Sequence, residues 1–71
     1  MEEITINTTT INLDQLLKWA GIAETGGQVK IMIDEGIITL NNVTVTERRK
    51  KIHPGDIIEI EGLGKWQVTK E

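Results

Sequence analysis

At 71 residues and 8.0 kDa the chain has room for one small domain, which excludes a catalytic domain joined to a separate binding module. With 38% apolar and 27% charged residues it falls in the range of chains that fold alone, and with no cysteine it excludes a disulfide framework, a thiolate zinc site and a cysteine nucleophile. The net charge of −3 argues against a polyanionic partner only as an average: Arg48-Arg49-Lys50-Lys51 holds four of the eight basic residues, and outside that run four basic residues face eleven acidic ones, so the attractive field for an anion is local.

Met1-Glu2-Glu3 opens the chain without a basic n-region or an apolar h-region, and no apolar run approaches the roughly 18 residues of a membrane span. The expectation is a soluble, cytoplasmic protein with no membrane partner. Ile4 and Ile6 alternate with Thr5 and Asn7, which predicts a short, half-buried edge strand within 3–8. From Leu13 the period changes to that of a helix over 13–20: Leu13, Leu16, Leu17 and Ala20 form one stripe, Asn12 stands at the N-cap and Gly21 at the stop. Asp14, Gln15 and Lys18 fall on the opposite, polar side.

Thr25-Gly26-Gly27-Gln28 carries a capping-box spacing that opens a second helix, with Val29, Met32 and Ile33 as its buried stripe and Gly36 as its end. Beyond it, Ile37-Ile38-Thr39-Leu40 and Val43-Thr44-Val45 flank Asn41-Asn42, a pair that tolerates positive φ and predicts a hairpin. After the basic run, His53-Pro54-Gly55-Asp56 fits a turn, 56–60 a strand, and 65–69 a last strand entered through a bend at Gly62 and Gly64. Strands and helices mix in one layer order, so the fold class is α+β.

Little in this sequence favours catalysis. The single histidine, His53, sits in a turn with no evident partner, and Glu59 and Glu61 alternate with isoleucines as a solvated strand face would. No cluster with metal-ligand spacing stands out, so neither metal nor cofactor is expected. The basic tetrad is different, because four adjacent cations in an ordered connection repel one another unless an anion lies near. Contact with a nucleic-acid backbone relieves that repulsion and releases counterions. Thr25-Gly26-Gly27 adds free amides at the positive end of a helix, unhindered by side chains. Lys18 and Lys30 extend the same chemistry, whereas Glu24 opposes it. Trp19 and Trp66 are the only aromatics, too few for a stacking platform along a single strand, so the expected partner is structured RNA read by backbone and shape.

Asn12-Leu13-Asp14-Gln15-Leu16-Leu17-Lys18, Thr25-Gly26-Gly27-Gln28-Val29-Lys30, Glu35-Gly36-Ile37-Ile38-Thr39-Leu40-Asn41-Asn42 and Lys51-Ile52-His53-Pro54-Gly55-Asp56, in this order, resemble the S-four RNA-binding domain. The likeness covers about residues 11–61 and is nearest to the small stand-alone bacterial branch called YaaA-like or YbcJ-like. It implies an alpha-L motif, two short helices packed on a small, bent, mainly antiparallel sheet, whose helical face and adjoining loop dock on RNA. Carried onto this chain, the implied contacts are Lys18, Thr25, Gly26, Gly27, Gln28, Lys30, Arg48, Arg49, Lys50 and Lys51. Larger relatives commonly place Arg before the Leu-Asp pair and begin the second helix with a Ser-Arg-Ser-type segment; here those positions read Asn12 and Thr25-Gly26-Gly27.

The sequence thus predicts a single RNA-binding domain over 1–71, monomeric and without enzymatic activity, that contacts structured RNA, ribosomal RNA above all, in ribosome assembly or translation and in association with ribosomal particles. The alternative is a protein-interaction adaptor that sets the basic loop against an acidic partner.

Overall fold

The alternation and the helical stripes become nine short elements in the computed structural model, which describes residues 1–71. In chain order these are β1 (Glu2–Ile6), β2 (Ile11–Asn12), α1 (Leu13–Trp19), α2 (Gly26–Asp34), β3 (Ile38–Leu40), β4 (Val43–Thr44), β5 (Lys51–Ile52), β6 (Ile57–Ile60) and β7 (Gly64–Lys70). Five strands form one sheet in the order β1-β7-β6-β3-β4, and β2 with β5 forms a separate two-stranded ribbon. All neighbours are antiparallel except β1 and β7, which run parallel with Ile4 opposite Val68 and Ile6 opposite Lys70. The expected edge strand is therefore at an edge, held by the last strand of the chain.

Alternation decides which face is covered. Ile4, Ile6, Ile38, Ile58, Ile60 and Val68 turn inward from the sheet, Leu13, Leu16 and Leu17 from α1, Val29 from α2 and Ile52 from the ribbon, all buried in one cluster. Each such side chain contributes about 1.5–3 kcal/mol on burial. Met32 and Ile33 pack at its margin, half-buried. Ala20, expected in the α1 stripe, is exposed, because the helix ends at Trp19 and the chain turns through Gly21 at φ 74°. Ala23 takes the buried place instead, with the amides of Ile22 and Ala23 both donating to the Leu17 carbonyl.

Asp14 departs from the sequence reading more instructively. It is the one buried charged residue, 9% exposed, and its Oδ1 accepts from the Gln15 amide at 2.8 Å. Asn12 does occupy the N-cap with extended backbone, yet its side chain makes no capping bond. The hairpin between β3 and β4 turns through Asn41 and Asn42 at φ 51° and 71°, positive at both central positions as a type I′ turn requires. Asn41 also ties this hairpin to the next turn: its Nδ2 donates to Asp56 Oδ1 at 3.1 Å and its Oδ1 accepts from the Ile57 amide at 2.9 Å.

Candidate nucleic-acid interface

The start of α2 is shaped by its cap. The Gln28 amide donates to Thr25 Oγ1 at 3.2 Å, and the Gln28 side chain reaches back so that its Oε1 accepts from the Glu24 amide. The capping box is present, with the returning bond one residue earlier than the usual pattern. Thr25 and Gln28 are thus committed to local structure. Gly26 and Gly27, the first two helical residues, keep amides with no acceptor in the chain.

The other helix is arranged in the opposite way. Its first amides are consumed internally: Leu13 N–H donates to the Lys50 carbonyl at 2.8 Å and Asp14 N–H to the Arg48 carbonyl at 2.9 Å. Helix starts leave such donors without intrahelical partners, and here the backbone of the basic run satisfies them. Beside these bonds, Asn12 pairs with Lys51 across the ribbon. The tetrad is consequently fixed to α1 by main-chain bonds that need none of its own side chains.

With its carbonyl bound to α1, Arg48 extends its guanidinium over α2: Nη1 lies 3.6 Å from where a Cβ on Gly26 would stand. Positive groups converge at this point, a guanidinium on one side and the amino end of a helix on the other. Neither is tied up in a salt bridge: the only carboxylate contacts within 4.0 Å of a basic side chain are Lys30 with Asp34 and His53 with Asp56, and Glu24 and Glu47, the neighbours of Thr25 and Arg48 in the chain, are the nearest acidic residues in sequence. Arg48, Arg49, Lys50 and Lys51 are all exposed and lie beyond 4.0 Å of any carboxylate oxygen.

Lys30, one turn into α2, is exposed and 3.8 Å from Asp34 Oδ2, an i,i+4 pair too solvated to hold it firmly. Lys18 stands apart in the last turn of α1, beside a separate groove shared with Trp19. The structure therefore joins Thr25, Gly26, Gly27, Gln28 and Arg48 in one constellation, sets Arg49, Lys50 and Lys51 next to it along the chain, and leaves Lys18 at the far end of its helix. The sequence reading missed the carbonyls of Arg48 and Lys50, which carry no side-chain signal. It also missed Trp19 as a surface group; that indole is 65% exposed, with Nε1 donating to the Thr5 carbonyl at 3.0 Å. Its position one residue off the apolar stripe was the available clue.

Comparison with known proteins agrees with this architecture. A family model described as the S4 domain matches residues 4–69. A curated protein of Bacillus subtilis (strain 168), named "Probable ribosome maturation protein RlbA", is 38% identical over 66 residues, covering 93% of this chain and 93% of its own length. The match spans both helices, the basic run and the strands that hold them, and on it the chain belongs to the S4 domain family.

Proposed function

We propose that residues 1–71 act as a single, monomeric RNA-binding unit that grips the backbone of structured RNA, ribosomal RNA above all, without catalysing a reaction. One observation carries the reading: the Arg48 guanidinium lies beside Gly26, at the unpaired amides that begin α2, and makes no ion pair within the chain. A group with several anionic oxygens suits both donors, one oxygen accepting from the guanidinium and another from the Gly26 and Gly27 amides. A phosphate of an RNA backbone is such a group, and Arg49, Lys50 and Lys51 lie along the chain to meet its neighbours.

The mechanism is positioning by charge and shape, with little reading of base edges. Its affinity falls steeply with salt, because each neutralised phosphate releases counterions. With about five or six phosphates engaged, the isolated domain binds at roughly 10⁻⁴–10⁻⁶ M at physiological salt, so a ribonucleoprotein surface supplies the specificity. The ribosome-maturation name of the B. subtilis relative fits that setting and a cytoplasmic location. His53 has a turn-building role: its amide donates to Asp56 Oδ2 at 2.8 Å and Nδ1 lies 3.7 Å from the same oxygen.

The test is replacement of Arg48, Arg49, Lys50 and Lys51 by serine, with binding to folded ribosomal RNA fragments measured across a salt series. Because the bonds to Leu13 and Asp14 use main-chain carbonyls, the fold survives the change. Affinity drops, and the slope of log K against log salt flattens by about two to three for three or four lost contacts. Unchanged affinity and slope in a folded variant would remove the proposal. Association with ribosomal particles that persists after nuclease treatment would replace RNA by a protein partner.

A further inference from the structure

A second groove lies between α1 and the connection from β1 to β2. It has a volume of about 490 Å³, within the roughly 300–1,000 Å³ of small-ligand clefts. Asn7, Thr8, Ile11, Gln15, Lys18 and Trp19 line it, and no acidic residue does, in a chain with eleven acidic side chains. Lys18 has no carboxylate within 4.0 Å.

Trp19 is held in an unusual way for an exposed indole. The Ile6 carbonyl accepts from the Glu71 amide and so faces β7. Strand geometry then directs the Thr5 carbonyl to the free edge of β1, where Trp19 Nε1 donates to it. This bond fixes one edge of the ring and leaves its surface open. An aromatic surface of set orientation, an unpaired cation one residue away and two side-chain amides match a single nucleotide: base on indole, phosphate on ammonium, base edge on Asn7 or Gln15.

We infer that this groove takes one unpaired nucleotide of the bound RNA, stacked on Trp19. The inference rests on the RNA-binding reading and extends it from backbone contact to capture of a base. Continuity with the basic run supports an RNA occupant. Ile11, in the groove wall, pairs with Ile52, and the adjacent Asn12 pairs with Lys51. Along α1, Lys18 lies about 6 Å from Asp14 at 1.5 Å per residue, so a strand crossing the loop reaches the groove within a few nucleotides.

Deproteinised bacterial ribosomal RNA serves as the probe, against Trp19→Ala and Trp19→Phe, with thermal melting recorded for each. Trp19→Ala is expected to weaken binding about tenfold, in the range of one stacked base. Trp19→Phe keeps a ring but loses the bond to Thr5 that orients it, and is expected to lose clearly less affinity than Trp19→Ala. In a Trp66→Phe background, where emission comes from Trp19 alone, saturating RNA is expected to quench the indole and shield it from iodide. Parental affinity in Trp19→Ala, equal losses in the alanine and phenylalanine variants, or unchanged iodide access at saturation would each overturn the inference. If the tetra-serine variant still loses binding, only the stacked base fails; if the native chain does not bind this RNA, the RNA reading fails with it.

Discussion

Gly26→Ala separates stability from the proposed phosphate contact at the start of α2. The new methyl stands 3.6 Å from Arg48 Nη1, an ordinary contact, and the backbone at Gly26 is not in the left-handed region. Alanine in a helix is favoured over glycine by about 0.5–1 kcal/mol, chiefly by restricting the unfolded chain. For a domain of this size 1 kcal/mol corresponds to about 4–8 °C, so the variant melts about 2–8 °C higher. The same methyl stands against the guanidinium at the start of α2, where a bridging phosphate oxygen, as proposed, must come within about 3 Å of its donors. A hydrogen bond to a charged group is worth about 1.5–3 kcal/mol, and its loss weakens RNA binding about 10- to 100-fold. Thermal denaturation and fluorescence anisotropy with labelled ribosomal RNA fragments, on one preparation, read the two effects. A variant that melts higher yet binds as the parent would refute the proposed phosphate position; one that melts lower would show that glycine serves the fold.

Two further substitutions test the frame around the site. Thr25→Ala removes the acceptor for the Gln28 amide and lowers stability by about 1 kcal/mol, whereas Thr25→Ser retains the cap and melts close to the parent. In the hairpin, adjacent asparagines respond with opposite signs. Asn42→Gly relieves a positive φ with no side-chain bond to lose and raises stability by about 0.5 kcal/mol or less. Asn41→Gly forfeits the bonds to Asp56 and Ile57 and lowers it by about 1–3 kcal/mol; equal melting shifts for the pair would count against the strut.

The helices, the hairpin and the His53 turn were legible because each rests on a local signal: a 3.6 period in Leu13, Leu16 and Leu17, a cap at Thr25, two residues tolerant of positive φ at Asn41-Asn42. The pairing of β1 with β7 was not, since Ile4 and Val68 are far apart in sequence and no local pattern specifies a parallel register. Asp14 illustrates a second limit. Helical spacing places it among polar residues, but the carboxylate turns to cap Gln15 and its amide meets the basic run, so burial follows from a contact with distant backbone. For the site, residue types and order were readable in the basic tetrad and the Gly-Gly helix start. Their joining was not, because main-chain carbonyls do it.

The parallel union of β1 with β7 also constrains how the molecule is made. Residues 2–6 are synthesised well before their ladder partners at 66–70, so the first strand waits, unpaired, until about sixty further residues have been translated. Closing so large a loop late slows folding. Until then Ile4 and Ile6 stand bare, and a nascent chain cut off before Trp66 would carry them as a sticky, unstructured tail.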